Sequence, residues 1–199
     1  MKENKDKRSM IVEAASTLFQ RFGYSKTSLE DIAKTAGLGK GTIYYYFESK
    51  EDIFLEVLWT NSNEYFDQLR RLIKTEISFE EKISTAIRMP IKLLYKHAPI
   101  LLEAMNTLPG PYMQRVQEFR TKTRITMLQI FQEILQEGAE QGILAENLPM
   151  EKLVNILFDW FLIGDTNIVI KELETFLTKA EVDYETIIQL ILYGLLKRG

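Results

Sequence analysis

The 199-residue sequence contains no cysteine and a single histidine, His97. The first absence excludes disulfides and thiolate chemistry, and the second excludes a histidine pair for a metal. No apolar run approaches the roughly 18 residues that a membrane-spanning helix needs, and the start, MKENKDKRSM, lacks the hydrophobic region of a signal peptide. There is no glycine loop of nucleotide-binding type, and His97 has no obvious serine partner in a helical pattern. The expectation is a soluble, cytoplasmic protein without membrane segment, catalytic residues, metal or cofactor.

What is present is core material and an uneven charge. Apolar residues make up 46% of the chain, ample for a core, and the net charge is -3. Residues 1–50 hold nine Lys/Arg against six Asp/Glu, whereas residues 51–199 hold sixteen against twenty-two. Basic charge collected in the first quarter suits attraction to nucleic-acid phosphates, and the acidic remainder disfavours wrapping. Lys2, Lys5, Lys7 and Arg8 read either as an arm along a phosphate backbone or as a solvated tail.

The stretch Thr27 to Lys50, TSLEDIAKTAGLGKGTIYYYFESK, carries the chemistry. Thr27 followed three residues later by Glu30 reads as a capping box at the start of a short helix. Leu29, Ile32 and Ala33 give that helix one apolar face, Ala36 permits close approach, and Gly37 can take the left-handed conformation that ends it. In a second short helix Ile43 and Phe47 point inward, leaving Gly39, Lys40, Gly41, Thr42, Tyr44, Tyr45 and Tyr46 on the surface. Two glycines weaken a helix by roughly 1 kcal/mol each relative to alanine, a cost that close approach of another backbone would explain. Tyrosine hydroxyls bond phosphate oxygens, Thr42 can touch a thymine methyl, and Lys40 can reach a phosphate or a guanine edge. Ser49 caps a third helix with Asp52 at the capping-box position, leaving Lys50 near the DNA backbone. The pattern is a helix-turn-helix whose second helix enters the major groove, with Thr27, Ser28, Gly39, Lys40, Gly41, Thr42, Tyr44, Tyr45, Tyr46 and Lys50 as DNA-binding residues. Taken by itself, the Tyr-Tyr-Tyr-Phe run reads equally as core packing.

The segments LFQRFGYSKTSLEDIAKTA and AGLGKGTIYYYFESKEDIF closely resemble the DNA-binding segment of the tetracycline-repressor (TetR) family, without gaps from about Ile11 to Leu58. EGAEQGIL, near residue 140, resembles the family again. Gly39 departs from the family, which more often has serine or another polar side chain there. The resemblance implies a homodimer that represses transcription until a small-molecule effector enters its C-terminal bundle.

The fold class expected is all-α, with a three-helix helix-turn-helix DNA-binding domain at 1–50 and a helical ligand-binding and dimerisation domain at 51–199. Helix one spans about Lys7 to Phe22, and a long helix runs from Ser49 to about Lys74. A helix from Phe79 to His97 should be kinked at Pro90, a short segment should open at Pro99, and LPGPY at 108–112 should break the chain before a long helix from Tyr112 to Gln141. The helices at 151–170 and 184–196 are apolar on more than one side and are expected to form a four-helix interface with a second subunit, or else to be central core helices. A ligand pocket would draw on Trp59, Phe66, His97, Met105, Tyr112, Phe119, Asn155 and Asp159, with an apolar or amphipathic ligand preferred. Asn155, Asp159 and Thr166 read as facing ligand, dimer partner or water. Partners are therefore a double-stranded DNA operator, a second copy of the chain and a small-molecule effector. The alternative is a helical ligand- or partner-binding protein without sequence-specific DNA recognition.

Overall fold

The computed structural model describes residues 2–75, 77–145, 149, 152, 155, 186 and 188–196. Described helices are α1 (Lys2–Phe22), α2 (Leu29–Thr35), α3 (Lys40–Tyr46), α4 (Lys50–Ile73), α5 (Phe79–Thr107) and α6 (Gly110–Glu140). A helical segment at 188–195 follows, and the described residues contain no strand beyond an isolated bridge between Leu144 and Leu196. The architecture is all-α.

By packing, the chain divides into two compact units. One is Met1–Glu64 with His97–Arg120, and the other is Tyr65–Lys96 with Thr121–Gly199. The packing division falls inside α4, α5 and α6, whereas the sequence led to a division after residue 50.

The first unit is built on α1. Ile11, Ala14, Ala15, Leu18 and Phe19 recur at helical spacing and are buried with Ile32, Ala33 and Ala36 from the α2 region, Ile43 and Phe47 from the α3 region, and Ile53, Phe54 and Val57 of α4. Burying a side chain the size of Ile43 contributes about 1.5–3 kcal/mol. Leu108 and Val116 close the cluster from the end of α5 and the start of α6. Rings of Phe19, Tyr24 and Phe54 meet pairwise at 5.0–5.8 Å between centroids. Arg8 lies 4.8 Å over the Phe47 ring and pairs with Glu56.

In the second unit, Tyr65, Phe66, Leu69 and Ile73 of α4 pack with Phe79, Ile83, Ala86 and Ile87 of α5 and Met127, Ile130, Phe131, Ile134 and Leu135 of α6. Ile188, Leu192 and Leu195 complete this core. Lys82 is buried, and its ammonium donates to both carboxylate oxygens of Glu137, at 2.6 and 2.8 Å. Pairing and bidentate bonding are what make a buried charge tolerable.

Two expectations are corrected. α1 begins at Lys2 rather than near Lys7. α5 is one helix of 29 residues that runs on through Pro90 and Pro99, where a break near His97 was expected. Each proline removes one helix hydrogen bond, but the helix is long and its first turns are fixed by Phe79, Ile83, Ala86 and Ile87 in the core.

α5 and α6 approach each other closely at Gly138, where a Cβ would lie 2.6 Å from a ring carbon of Phe79. Gly138→Ala is expected to destabilise the protein by about 1–3 kcal/mol through overpacking, against the stabilisation that alanine ordinarily gives a helix. Denaturant midpoints at unchanged slope would measure it, and an unchanged or raised midpoint would contradict this packing.

Candidate nucleic-acid interface

The helix-turn-helix is built from two seven-residue helices. α2 starts at Ser28, not Thr27: the Asp31 N–H donates to Ser28 Oγ at 3.1 Å, and the Ser28 N–H donates to Asp31 Oδ2 at 3.0 Å. The capping box is therefore Ser28 with Asp31 rather than Thr27 with Glu30. Thr27 is buried and its hydroxyl donates to the Gly23 carbonyl at 2.8 Å, so its side chain fixes the preceding loop and does not reach the surface expected of it.

The turn follows from Gly37, whose φ of +68° lies in the left-handed region that side chains other than glycine rarely adopt. The N–H groups of Ala36, Gly37 and Leu38 close back onto the carbonyls of Ile32, Lys34 and Ala33, satisfying the end of α2. Gly39 then caps α3 without a side chain.

On α3, Ile43 is wholly buried and Phe47 nearly so, which turns the opposite face outward. Tyr45 is 74% exposed and Tyr44 50%, unusual exposure for rings of this size. Tyr46 is half-buried, packs against the core and meets the Tyr45 ring edge-on at 5.0 Å. The aromatic run is thus divided, two rings outward and one partly in the core. Thr42 is half-buried, and a Cβ added at Gly39 or Gly41 would meet nothing within 4 Å.

Lys40 pairs with Glu30 across the two helices and lies 5.9 Å from the Tyr44 ring centroid. The hydrogen bond between them holds Glu30 below the usual carboxylate range and raises Lys40. Hydrogen bonding with the Ser28 side chain and N–H lowers Asp31.

Lys50 was expected to approach a phosphate. Its ammonium instead donates to the carbonyls of Tyr24, at 3.0 Å, and Thr27, at 3.1 Å. The start of α4 is capped by Ser49, whose Oγ accepts from the Asp52 N–H at 3.0 Å, donates to Asp52 Oδ2 at 2.6 Å and lies 2.9 Å from the Tyr112 hydroxyl. Arg115 pairs with Asp52 and lies 5.6 Å from the Tyr112 ring centroid. Burial pushes Asp52 up, but Ser49 and Arg115 together leave it below its ordinary value.

The described ligand-pocket candidates are divided between the two units. Trp59 and Phe119 meet edge-on at 5.0 Å and, with Tyr112, belong to the first unit. Phe66 is core of the second unit, where Asn155 is half-buried. The side chains of His97 and Met105, and the whole of Asp159 and Thr166, lie outside the described residues. So do the helices expected at 151–170 and 184–196, except Lys152, Asn155, Thr186 and residues 188–196. Sequence reasoning missed Glu103, Arg115 and the Ser49–Tyr112 contact; their partners lie about sixty to eighty positions away in the chain, and no local pattern marks them.

A capped helix, a glycine turn and a second helix with a bare, aromatic outer face, braced by a long first helix, define a helix-turn-helix DNA-binding protein. Residues 11–57 match the sequence model for bacterial regulatory proteins of the tetR family. The fatty acid metabolism regulator protein of Bacillus subtilis is 28% identical, over 79% of this chain and 81% of its own. The HTH-type transcriptional repressor KstR2 of Mycolicibacterium smegmatis is 27% identical, over 77% and 75%. The crystal structure of the transcriptional regulator FadR from Bacillus subtilis in complex with stearoyl-CoA shares the fold, with a TM-score of 0.62 and 23% identity over 94% of this chain and 98% of that one. Residues 11–57 thus carry a tetR-family DNA-binding segment, and most of the chain is similar to DNA-binding transcriptional regulators.

The corrected cap is directly testable. Ser28→Ala should cost about 1 kcal/mol of unfolding free energy by removing one side of the capping box. Glu30→Ala, which leaves that box intact, should cost clearly less in the same denaturant titration; equal losses would return the box to its expected place.

Proposed function

We propose that the protein is a homodimeric repressor that binds a palindromic operator through α3 and releases it when a small amphipathic effector binds, acting in the cytoplasm where transcription takes place. The observation that carries the DNA half is the outer face of α3. Gly41 weakens a short helix, Gly39 caps it without a side-chain bond, and no packed neighbour lies within 4 Å of a Cβ added at either. Their smallness serves nothing within the described chain, and it suits close approach of a duplex. Tyr44, Tyr45, Lys40 and Thr42 lie on the same short helix, and Ser28, half-buried, stands at the start of α2.

The dimer rests on the apolar content of the last helices. In the described segment 188–196, Ile188, Leu192 and Leu195 are buried, while Leu190 and Tyr193 are each 66% exposed one turn apart on another face. A two-fold pairing would cover them and set two copies of α3 about 34–36 Å apart, one turn of DNA, or a multiple of that.

The effector half rests on the second unit. Among the described residues, the hydroxyls of Tyr65 and Thr123 are buried there without a hydrogen-bond partner. Tyr65 is packed with Phe66 and Met127, and Thr123 stands one turn before Met127 on α6. Burial raises the Tyr65 phenol far above its ordinary range. Unpaired buried hydroxyls are costly, and a polar group on an otherwise apolar ligand would satisfy them. Long-chain acyl-CoA is the first effector class to test, on the similarity to a fatty acid metabolism regulator.

Selecting binding sites for the purified protein from random duplex DNA at physiological salt should enrich a palindrome, and stearoyl-CoA should release it. Failure to enrich any sequence with folded protein would remove the DNA half; a palindrome that no acyl-CoA releases would remove only the effector class. Gly41→Ala separates fold from function by sign. It should stabilise the protein by about 0.4–1 kcal/mol yet weaken binding to the selected duplex, and undiminished binding would refute close DNA approach at this position.

A further inference from the structure

The loop between α1 and α2 is gripped from two sides. Gly23 has a φ of +86°, and the successive N–H groups of Tyr24 and Ser25 point together into one concavity of the kind that binds anions. The carboxylate of Glu103, on α5, fills it: Oε2 accepts from the Tyr24 N–H and Oε1 from the Ser25 N–H, both at 2.9 Å. A Cβ on residue 23 would lie 2.6 Å from Glu103 Oε2, so this position needs glycine for its backbone and for its neighbour. Hydrogen bonding by Ser25, set against some desolvation and joined by the Tyr24 N–H and the charge of Lys50, keeps Glu103 below the usual carboxylate range.

The carbonyl side of the same loop belongs to Lys50. Its ammonium takes the oxygens of Tyr24 and Thr27 and sits 4.3 Å from the Tyr24 ring centroid. The Tyr24 hydroxyl donates to Glu51 at 2.9 Å, next to Lys50 on α4. Two backbone N–H groups of the loop are therefore held from α5, and two of its carbonyls from α4. The loop leads straight into Ser28, the cap of α2. Whatever fixes residues 23–27 fixes where α2 begins and how the α2–α3 pair is set on its support.

We propose that Glu103 and Lys50 are positioning residues for DNA recognition: through the 23–27 loop they hold α2 and α3 at the setting from which α3 reads the duplex, without touching DNA themselves. This rests on α3 being the reading helix. The charges make the inference unusually testable, because electrostatics and positioning predict opposite signs. Removing the negative charge of Glu103 should strengthen binding to a polyanionic duplex if only charge matters, and should weaken it if the carboxylate holds the loop. Removing the charge of Lys50 should flatten the salt dependence by about one unit of slope if it meets a phosphate, and should leave the slope unchanged if it binds carbonyls.

The experiment measures affinity for the duplex selected by the wild-type protein, across a salt series and well below the melting midpoint of each variant. Glu103→Gln is expected to weaken binding about tenfold despite the lost negative charge, the size expected from impairing a charge-assisted hydrogen bond. Glu103→Asp, which keeps the charge and falls one methylene short, should also weaken binding, and it serves if the glutamine variant does not fold. Lys50→Met should lose affinity at constant slope. A purely structural role would lower the melting midpoints and leave the affinity of the folded protein unchanged. Binding by both Glu103 variants as tight as wild type, or a slope flattened by one in Lys50→Met, overturns the inference while the DNA-reading function stands. If wild-type protein selects no sequence, the reading function itself fails and the inference falls with it.

Discussion

Two seven-residue helices cannot persist by themselves in water, where helices shorter than about 12–15 residues are marginal even in favourable sequences. The reading head of this protein depends on that constraint. α2 and α3 exist because Ile32, Ala33, Ala36, Ile43 and Phe47 are buried against α1 and α4. Burial consumes one face of each short helix and leaves the other without a structural task. The residues on that free face, Gly41, Tyr44 and Tyr45 among them, can then be chosen for what they meet outside the molecule.

Charge does a different job in each unit. In the second, Lys82 is buried and bound to Glu137 by both oxygens, a pairing that ties α5 to α6 and whose loss would strand an ammonium in the core. In the first, charged side chains mostly serve chain ends and loops. Asp31 and Asp52 complete capping boxes, Arg115 braces the second of these, and Glu103 and Lys50 hold the 23–27 loop. Lys40 alone among these basic groups stands on α3, and its partner Glu30 is exposed. Such an exposed pair contributes little to stability and is readily exchanged for another anion.

Much of the head was legible because its signals are local. Capping residues, the glycine turn and apolar spacing act over three to eight positions, so the reading from Ile11 to Leu58 found the right elements in the right order. Its errors were also local. A box set one residue early, at Thr27 instead of Ser28, arose because two adjacent residues can both cap and only the buried state of Thr27 decides. Pro99 announced a new segment, but packing fixes the early turns of α5 and the helix runs on through it. The aromatic run 44–46 could not be divided from sequence, since the rotation of α3 on its support determines which ring faces out. The pocket candidates carried no local signal. Aromatic residues at helical spacing look alike whether they are core, as Phe66 is, or partly exposed, and Trp59, Tyr112 and Phe119 proved to belong to the other unit.

The sequence by itself determined the all-α class and the position of the reading helices, because capping, turn chemistry and periodicity are written into neighbouring residues. Only the tertiary structure decided the destinations of the long side chains. Lys50 reads in sequence as a phosphate contact and Glu103 as one more acid on a helix. Their bonds to the same loop join positions 23 to 79 apart. Such bonds depend on how helices pack, a property of the whole fold that no short stretch of sequence encodes.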